Sequence, residues 1–316
     1  MNYPVYVAIP VYNGARTIKR TLENIFKQTF CDFTILVYDD GSTDWTGQIL
    51  KKARDFDSRV RILEGVQNEG RGAARNHLLA AASDGVIAWQ DADDLWSPSK
   101  LQEQLAFFEG LSDRGIDPQR SVIISTFDRA SKREGRELIV RSVPPDPFDV
   151  KYVLGENYGQ CPFQLQATFG LTSVYQNAGG FDPILNWAED VDIALNILGA
   201  GSQIIPHQAT TGLSRYHHAL GRVDGDVVVQ AQTRIIQKHR VFAERYGLDI
   251  ESIYSRRRLG YLFNIYLENR NFRKAIYTAL AEVIDADEEK LMAVSRNLAA
   301  VFRAMQQAPG ARDAAD

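Results

Sequence analysis

The first hundred residues alternate short apolar runs with amphipathic stretches, and this alternation limits the possible folds more than any other feature. Four apolar runs, at 5–9, 33–38, 60–63 and 86–89, have the length of buried strands. Between them apolar residues recur at helical spacing, as in Ile18, Leu22 and Ile25. Strands that alternate with helices predict an α/β fold with a doubly wound, mostly parallel sheet flanked by helices. Its ligands should bind beyond the carboxyl ends of the strands.

Acidic residues follow two of these predicted strands. Asp39 and Asp40 come after the second, and Asp91 and Asp93 after the fourth, so we expect them to gather at one edge of the sheet. Residues two apart on an extended chain point the same way, and two such carboxylates repel each other unless a cation neutralises them. The Asp-x-Asp pair therefore indicates a site for Mg²⁺ or Mn²⁺. The alternative is a polar loop before a helix capped by Ser97.

Composition excludes several classes of protein. With 316 residues, 45% of them hydrophobic, the chain can bury a large core. The net charge of −4 argues against a surface built to bind nucleic acid. Cys31 and Cys161 form no zinc or disulfide pattern, and no apolar run approaches about 18 residues. We expect a soluble cytoplasmic protein, and peripheral contact with the inner face of the membrane stays open.

The usual phosphate-binding loops are missing from the sequence. The first predicted strand is followed by P-V-Y-N-G-A-R rather than G-x-G-x-x-G, and G-x-x-x-x-G-K-[ST] occurs nowhere. The Gly-rich start and downstream Lys of a sugar nucleotidyltransferase are missing as well. A bound diphosphate would instead have to be neutralised by a metal on Asp91 and Asp93.

Six motifs resemble those of family 2 glycosyltransferases, which have the GT-A fold and use nucleotide-diphospho-sugars. Together they cover roughly residues 4–220 in the order expected of the family. The motifs are A-I-P-V-Y-N-G (8–14), V-Y-D-D-G-S-T-D (37–44), N-E-G-R-G-A-A-R-N (68–76), D-A-D-D (91–94), G-G-F-D (179–182) and A-E-D-V-D-I-A-L (188–195).

The resemblance implies a donor site made of several segments. A carboxylate near the uridine would accept a hydrogen bond from the uracil N3–H, which cytosine lacks. Asp39 and Asp40 have the alternative role of helix capping, and Arg75 that of a structural ion pair with the acidic residues. The residues assigned to the nucleotide-sugar are Pro10, Tyr12, Asp39, Asp40, Asn68, Gly70, Arg71, Arg75, Asp91, Ala92, Asp93 and Arg215.

The resemblance also assigns the catalytic residues. Asp190 matches the family's general base, and Glu189 would orient the acceptor or the donor sugar. Both begin a predicted helix, whose dipole should lower the pKa of Asp190 and keep it ionised. A plain partner of the helix dipole is the alternative reading of a first-turn acid.

Near the end of the predicted catalytic domain, S-R-Y-H-H matches the family's Arg-x-His at Arg215 and His217. His217 would join Asp91 and Asp93 around the metal or contact the diphosphate, and Arg215 or Arg222 would neutralise the leaving group. Adjacent histidines point in different directions, so at most one of the two should serve. The sequence lacks Gln-x-x-Arg-Trp, which marks processive synthases of this family, and this favours transfer of one sugar per encounter.

The sequence predicts three regions. Residues 1–225 form the catalytic domain, with a nucleotide-binding half (1–110) and an acceptor-side half (111–225) that contains strands at 122–127 and 138–140 and an irregular segment at 141–166. Residues 226–308 are helical, and 309–316 form a disordered tail. The helical region packs against the catalytic domain, forms a homodimer, or contacts an anionic membrane.

These features predict a metal-dependent, inverting glycosyltransferase that acts on a nucleotide-diphospho-sugar, a UDP-sugar by preference, and a glycan or lipid-linked acceptor. The alternative from another class is a non-catalytic nucleotide-sugar-binding module of a glycan assembly complex. A pure binder needs no base, so the presence of Glu189 and Asp190 beside the Asp-x-Asp pair favours the enzyme. A nucleotidyltransferase ranks third because its Gly-rich loop is missing.

Overall fold

The computed structural model describes most of the chain and divides it into two compact units, Met1–His218 and Ala219–Asp316. The described residues are 3–133, 136–154, 163–217, 224–268, 271, 274–276, 278, 296–301, 303 and 304. The predicted tail at 309–316 lies outside them.

The first unit contains strands β1 to β11 and helices α1 to α7. The strands are β1 (Val5–Val11), β2 (Thr34–Asp39), β3 (Val60–Glu64), β4 (Val86–Trp89), β5 (Leu95–Trp96), β6 (Ser121–Ser125), β7 (Phe127–Arg133), β8 (Arg136–Ser142), β9 (Thr168–Leu171), β10 (Gln203–His207) and β11 (Ser214–His217). The helices are α1 (Ile18–Ile25), α2 (Thr46–Phe56), α3 (Arg71–Ala81), α4 (Lys100–Glu109), α5 (Val150–Leu154), α6 (Thr172–Asn177) and α7 (Glu189–Gly199).

The main sheet has seven strands in the order β10-β6-β9-β4-β1-β2-β3. The β1–β2, β2–β3, β1–β4 and β6–β10 pairs are parallel, so the prediction of a mostly parallel sheet is confirmed. The exception is β9, which the sequence did not predict and which runs antiparallel to both β4 and β6.

The interior strands of this sheet are apolar on both faces because helices cover both sides. All four residues of β4 are buried. The indole of Trp89, only 1% exposed, meets the rings of Tyr175 and Phe181 edge-on at centroid distances of 5.8 and 5.1 Å. This packing fixes the end of β4, from which the Asp-x-Asp motif emerges.

A second sheet, in the order β5-β11-β7-β8, corrects the prediction of one strand at 122–127. The chain passes from the main sheet to the second at Thr126, whose N–H donates to His207 O at 3.0 Å and whose carbonyl accepts from Leu213 N at 2.8 Å. The apolar run is therefore shared between β6 and β7, and no local pattern marks the point where the chain changes sheets.

The second unit contains α8 (Gly225–Glu244) and α9 (Ile250–Glu268). Asp224 caps α8 and accepts from Asp226 N at 2.9 Å. Gly247, with φ of +70°, lies in the turn between the two helices and supplies the left-handed conformation that it needs. No helix within the described residues is long and apolar enough to cross a bilayer.

Candidate functional site

The predicted acidic segments lie at one edge of the main sheet. Strands β2 and β4 pair with opposite sides of β1 and run parallel to it, so the segments after their carboxyl ends flank the end of β1. Asp39 is the last residue of β2, and Asp91 lies two residues after the end of β4. The predicted site residues of both segments therefore lie at the same edge of the sheet, where ligands of doubly wound sheets bind.

The turn of the Asp-x-Asp motif is held by polar side chains around it. Thr21 Oγ1 donates to Ala92 O at 2.9 Å, and Gln90 Nε2 donates to Asp94 O at 2.7 Å. The buried carboxylate of Asp94 accepts from Gln166 Nε2 at 2.9 Å. Asp94 is thus a structural residue, and Asp91 and Asp93 are the partly exposed carboxylates of the motif.

The alternative that this turn caps the next helix through Ser97 is wrong in its details. Helix α4 begins at Lys100, and its N-cap residue is Ser99, which makes no side-chain cap hydrogen bond. The Ser99 hydroxyl instead donates to Glu103 Oε1 at 2.5 Å.

Arg75 joins the carboxylates of two motifs that are far apart in the sequence. Its side chain is 4% exposed, and its Nη2 lies 3.0 Å from Asp91 Oδ1. Its Nη1 donates to Glu189 Oε1, whose side chain is 6% exposed. The guanidinium carbon lies 5.8 Å from the ring centroid of Phe181. Arg75 therefore connects α3, the end of β4 and the start of α7.

The ion pair sets the charge of Glu189. Burial alone would raise the pKa of this carboxyl, but the neighbouring Arg75 and the more distant Arg71 hold its pKa below the ordinary value. Arg71 is 61% exposed, and its Nη1 lies 4.0 Å from Glu189 Oε1. Glu189 is consequently ionised at neutral pH.

Asp190 behaves differently from its neighbour, and the expectation that the helix dipole lowers its pKa is wrong. Burial, with the adjacent Glu189 charge second, raises the pKa of Asp190 to about 7. The hydrogen bond from Val191 N at 2.8 Å and the charge of Arg75 act in the opposite direction and do not offset these effects. Asp190 keeps partial solvent exposure, as a proton acceptor requires.

The two acidic residues at the end of β2, Asp39 and Asp40, accept hydrogen bonds from backbone N–H groups. Asp40 is 3% exposed, and its two oxygens accept from Glu69 N at 2.9 Å and Gly70 N at 3.0 Å. Asp39 Oδ1 accepts from Ser42 N at 3.0 Å. Asp40 therefore ties the segment of the N-E-G-R motif to the end of β2.

The N-E-G-R segment itself enters α3 through a left-handed residue. Gly70 has φ of +91°, and a Cβ there would lie 2.5 Å from Asn186 Oδ1. Asn68 is exposed beside it. The close approach of Gly70 to Asn186 brings this segment next to the loop that leads into α7.

The end of β1 carries two more of the residues predicted to contact the nucleotide. Pro10 lies in β1, and Tyr12, directly after it, is 48% exposed. Asn13 follows in the left-handed region with φ of +48°, and its Oδ1 accepts from Thr43 N at 2.8 Å. This bond ties the loop after β1 to the segment after β2.

Arg215 and His217 lie on β11 of the second sheet. The backbone of Arg215 pairs with Leu95, the residue after the D-A-D-D motif, so the sheet brings β11 next to that motif. The side chain of His217 lies outside the described residues. Within the described part of the chain, no group of three or more His, Cys, Asp or Glu residues is arranged to hold a metal.

Several residues that hold the site together were not predicted. Asn76 Nδ2 donates to Phe181 O at 2.8 Å, and Asn76 Oδ1 accepts from Phe181 N at 2.9 Å. A Cβ on Gly72 would lie 2.2 Å from Asp182 O, so only glycine allows α3 to approach this backbone. Both residues lie in the N-E-G-R-G-A-A-R-N motif, and their polar or small character was the available signal.

Comparison with known proteins identifies relatives of this arrangement. The model of Glycosyl transferase family 2 matches residues 6–164. The Escherichia coli UDP-Glc:alpha-D-GlcNAc-diphosphoundecaprenol beta-1,3-glucosyltransferase WfgD is 36% identical over 105 residues, which are 33% of this chain and 41% of that protein. Glycosyltransferase GlyA of Streptococcus pneumoniae is 24% identical over 98% of this chain and 39% of that protein. The matches thus span about two fifths of the length of these two relatives.

Two solved structures share the fold. S. aureus TarS 1-349 in complex with UDP-GlcNAc superposes with a TM-score of 0.59 at 18% identity, covering 97% of this chain and 82% of that one. The mannosyltransferase PcManGT from Pyrobaculum calidifontis, in complex with GDP-Man and Mn²⁺, gives a TM-score of 0.54 at 18% identity and covers 99% and 83% of the two chains.

Proposed function

The chain belongs to glycosyl transferase family 2, and from this premise we propose that it moves a single sugar from a nucleotide-diphosphate donor to a hydroxyl group. The donor is a UDP-sugar, the acceptor is a glycan or a lipid-linked saccharide, and the anomeric configuration inverts. The observation that carries the proposal is the contact of the buried Arg75 with both Asp91 and Glu189. It joins the donor-side motif to the motif that would carry the base.

Asp190 is the general base of this proposal. It accepts the proton of the acceptor hydroxyl while the oxygen attacks the anomeric carbon and the bond to the diphosphate breaks. A direct displacement of this kind inverts the anomeric centre. A base is most effective when its pKa lies near the working pH, and the pKa of about 7 for Asp190 meets this condition. Glu189, ionised and fixed by Arg75, orients the sugar or the acceptor.

The donor set at the Asp-x-Asp motif fits a divalent cation, Mn²⁺ or Mg²⁺. Asp91 is 39% exposed and Asp93 is partly exposed, and both offer hard oxygen ligands. Mg²⁺ is typically held by one or two carboxylates together with substrate phosphates, so two carboxylates suffice without a larger protein cage. When bound, the cation supplies positive charge to the diphosphate. Arg215 and the exposed Arg71 would neutralise the leaving group further.

Uracil recognition is assigned to the segments around the end of β2. Asp39 and Asp40 are buried and make backbone contacts, so we assign Asp40 to positioning of the Asn68–Gly70 segment and Asp39 to the base or ribose. Tyr12, 48% exposed at the end of β1, provides an aromatic surface for the base. The relatives named above include proteins with UDP and with GDP donors. The identity of the donor's nucleobase is therefore proposed separately from the transfer reaction.

The acceptor class follows from the name of one relative. WfgD is described as acting on GlcNAc-diphosphoundecaprenol, and a lipid-linked saccharide is therefore proposed here. The competing function is a binding module without catalysis. The presence of Asp190 and Glu189 at the start of α7 favours the enzyme, because a module that only binds the donor needs no base.

A panel of nucleotides and nucleotide-sugars tests the proposal. UDP at about 100 times its Kd should stabilise the protein by about 2.7 kcal/mol, and Mn²⁺ should increase the effect. UDP-sugars should then release UDP when a diphospho-lipid saccharide is added. Stabilisation by GDP instead of UDP would overturn the assignment of uracil as the donor's nucleobase. Binding of UDP-sugars without release of UDP across a broad acceptor panel would support the binding module.

A further inference from the structure

Within the described residues, the second sheet ends at β8. Its order is β5-β11-β7-β8, and β8 pairs with β7 through all seven of its residues, from Arg136 to Ser142. No strand in the described part of the chain pairs with the other side of β8. Its outward N–H and C=O groups therefore form a template for another strand.

The middle of β8 is apolar and exposed on both faces. Leu138 is 49% exposed, Ile139 42% and Val140 43%. Neighbouring side chains on a strand point to opposite faces, so both faces of the edge are apolar at the same place. Proteins usually protect a free edge with charges, proline or a bulge, and the centre of this one has none of these.

The sequence of β8 is complementary to itself when a second copy lies antiparallel to it. With Ile139 opposite Ile139 of the second copy, Leu138 meets Val140, and Glu137 meets Arg141. Opposite residues of an antiparallel pair lie on the same face, and Glu137, Ile139 and Arg141 share a face because they alternate along the strand. Of the symmetric registers centred on Leu138, Ile139 or Val140, only the one on Ile139 places opposite charges together.

Arg141 stays partly exposed although it makes hydrogen bonds within its own chain. Its Nε donates to Asp128 Oδ1 at 3.0 Å and its Nη1 to Thr210 O at 3.2 Å, while the side chain remains 48% exposed. Asp128 lies opposite Arg141 on β7, so the guanidinium must turn from β7 toward the open edge to contact Glu137 of another copy.

We propose that β8 is an interaction surface for a second copy of this chain, and that two copies join their second sheets into one through antiparallel β8–β8 pairing centred on Ile139. The interface is isologous, as in most symmetric dimers. It uses backbone hydrogen bonds for affinity and the Glu137–Arg141 pairs for register. Two short strands bury less than the roughly 1,200–2,000 Å² of a standard interface, so the dimer should be concentration-dependent.

Sedimentation velocity of the full chain over a wide range of concentration is the first test. Glu137→Lys and Arg141→Glu should each raise the dimer Kd by about tenfold or more, because like charges then face each other twice. An equimolar mixture of the two variants should dimerise again, since every facing pair is opposite in charge. Val143→Lys, a change at another exposed apolar residue just outside β8, is the matched control and should dimerise like the wild type.

Cysteine cross-linking tests the register directly. In a background with Cys31→Ser and Cys161→Ser, Ile139→Cys should form a disulfide-linked dimer, because directly opposite Cα atoms in a strand pair lie about 4.5–5.5 Å apart, within disulfide range. Val143→Cys should form no disulfide-linked dimer, since the two copies of residue 143 lie far apart in this register. Thermal melting confirms that each variant is folded.

A monomer at every concentration, together with no cross-link at Ile139→Cys, would overturn the proposal. So would dimers that all these variants leave unchanged, which would place the interface elsewhere. Binding of the monomer to anionic vesicles that Ile139→Lys abolishes, without any dimer, would assign the edge to a membrane surface and would equally refute self-pairing.

Discussion

Replacement of Arg75 by methionine tests whether one buried ion pair holds the two acidic motifs together. The substitution keeps an unbranched apolar stem and removes the charge. It leaves Glu189, 6% exposed, without its buried partner, and the exposed Arg71 remains 4.0 Å away. Removal of one partner from a buried pair costs about 3–5 kcal/mol, because the other charge stays buried.

The expected loss of stability is large enough to be measured from the unfolding of the first unit. For a unit of this size a change of 1 kcal/mol shifts Tm by about 2–4 °C, so Arg75→Met should lower Tm by about 6–20 °C. All four tryptophans, Trp45, Trp89, Trp96 and Trp187, lie in the unit Met1–His218. Urea denaturation followed by tryptophan fluorescence therefore reports on this unit.

The pH dependence separates the ion pair from simple packing. The pKa of Glu189 is lowered in the folded protein, so its contribution is present above the unfolded pKa, about 4.3 for Glu, and is lost as the pH falls through the lower folded pKa. The difference in stability between wild type and Arg75→Met should accordingly narrow in acid. A loss that is equal at neutral and acidic pH would indicate packing alone.

Two further variants control this measurement. Arg54→Met removes an arginine that is 52% exposed and pairs with Asp55 at 3.4 Å, and it should change stability by less than about 1 kcal/mol. The double variant with Arg75→Met and Glu189→Gln should lose less than the sum of the two single variants, because no unpaired carboxylate remains. A loss below about 1 kcal/mol for Arg75→Met at neutral pH would refute the reasoning.

Three other predictions follow from the site. Asp93→Ala should abolish the additional stabilisation by Mn²⁺ in the presence of UDP in a thermal-shift assay, and an unchanged Mn²⁺ effect would refute the metal assignment. Because Asp190 must be ionised to act as a base and its pKa is about 7, kcat/KM should fall about tenfold per pH unit below 7, whereas a flat profile down to pH 5.5 would contradict this role. Gly70→Ala should lower Tm, since φ of +91° disfavours a side chain and its Cβ would lie 2.5 Å from Asn186 Oδ1; a Tm equal to that of the wild type would show that the segment relaxes freely.

Local sequence patterns were sufficient to predict much of the fold. The apolar runs identified β1 to β4, and helical spacing identified the helices between them, because buried strands and amphipathic helices leave direct periodic signals. The resemblance to family 2 glycosyltransferases and the GT-A fold is confirmed by the family match and by the solved structures.

The second sheet was not predictable in the same way. Strand β5 has two residues and β11 has four, so neither carries a measurable period. Their pairing joins Leu95 to Arg215 across more than a hundred residues. The strand β9 was missed for a similar reason, since its four residues T-F-G-L are short and lie between other elements.

At the site, the sequence predicted which residue types are present better than it predicted their burial and contacts. Asp91, Arg75 and Glu189 were all singled out, but only the folded chain shows that Arg75 contacts both carboxylates. The expectation for Asp190 failed because a local rule, the helix dipole, was weaker than burial and the charge of Glu189. Burial depends on the packing of distant segments, which no local pattern contains.

Turnover and donor affinity of Asp190→Asn, measured together, test the central claim most directly. The amide keeps the shape of the side chain but cannot accept a proton. Asp226→Asn is the matched control, because Asp226 is also a first-turn acid and lies in α8 of the second unit. We predict that Asp190→Asn lowers kcat by about 10²–10⁴-fold, with the Kd of UDP unchanged, while Asp226→Asn turns over like the wild type. Turnover of Asp190→Asn equal to that of the wild type would contradict the account.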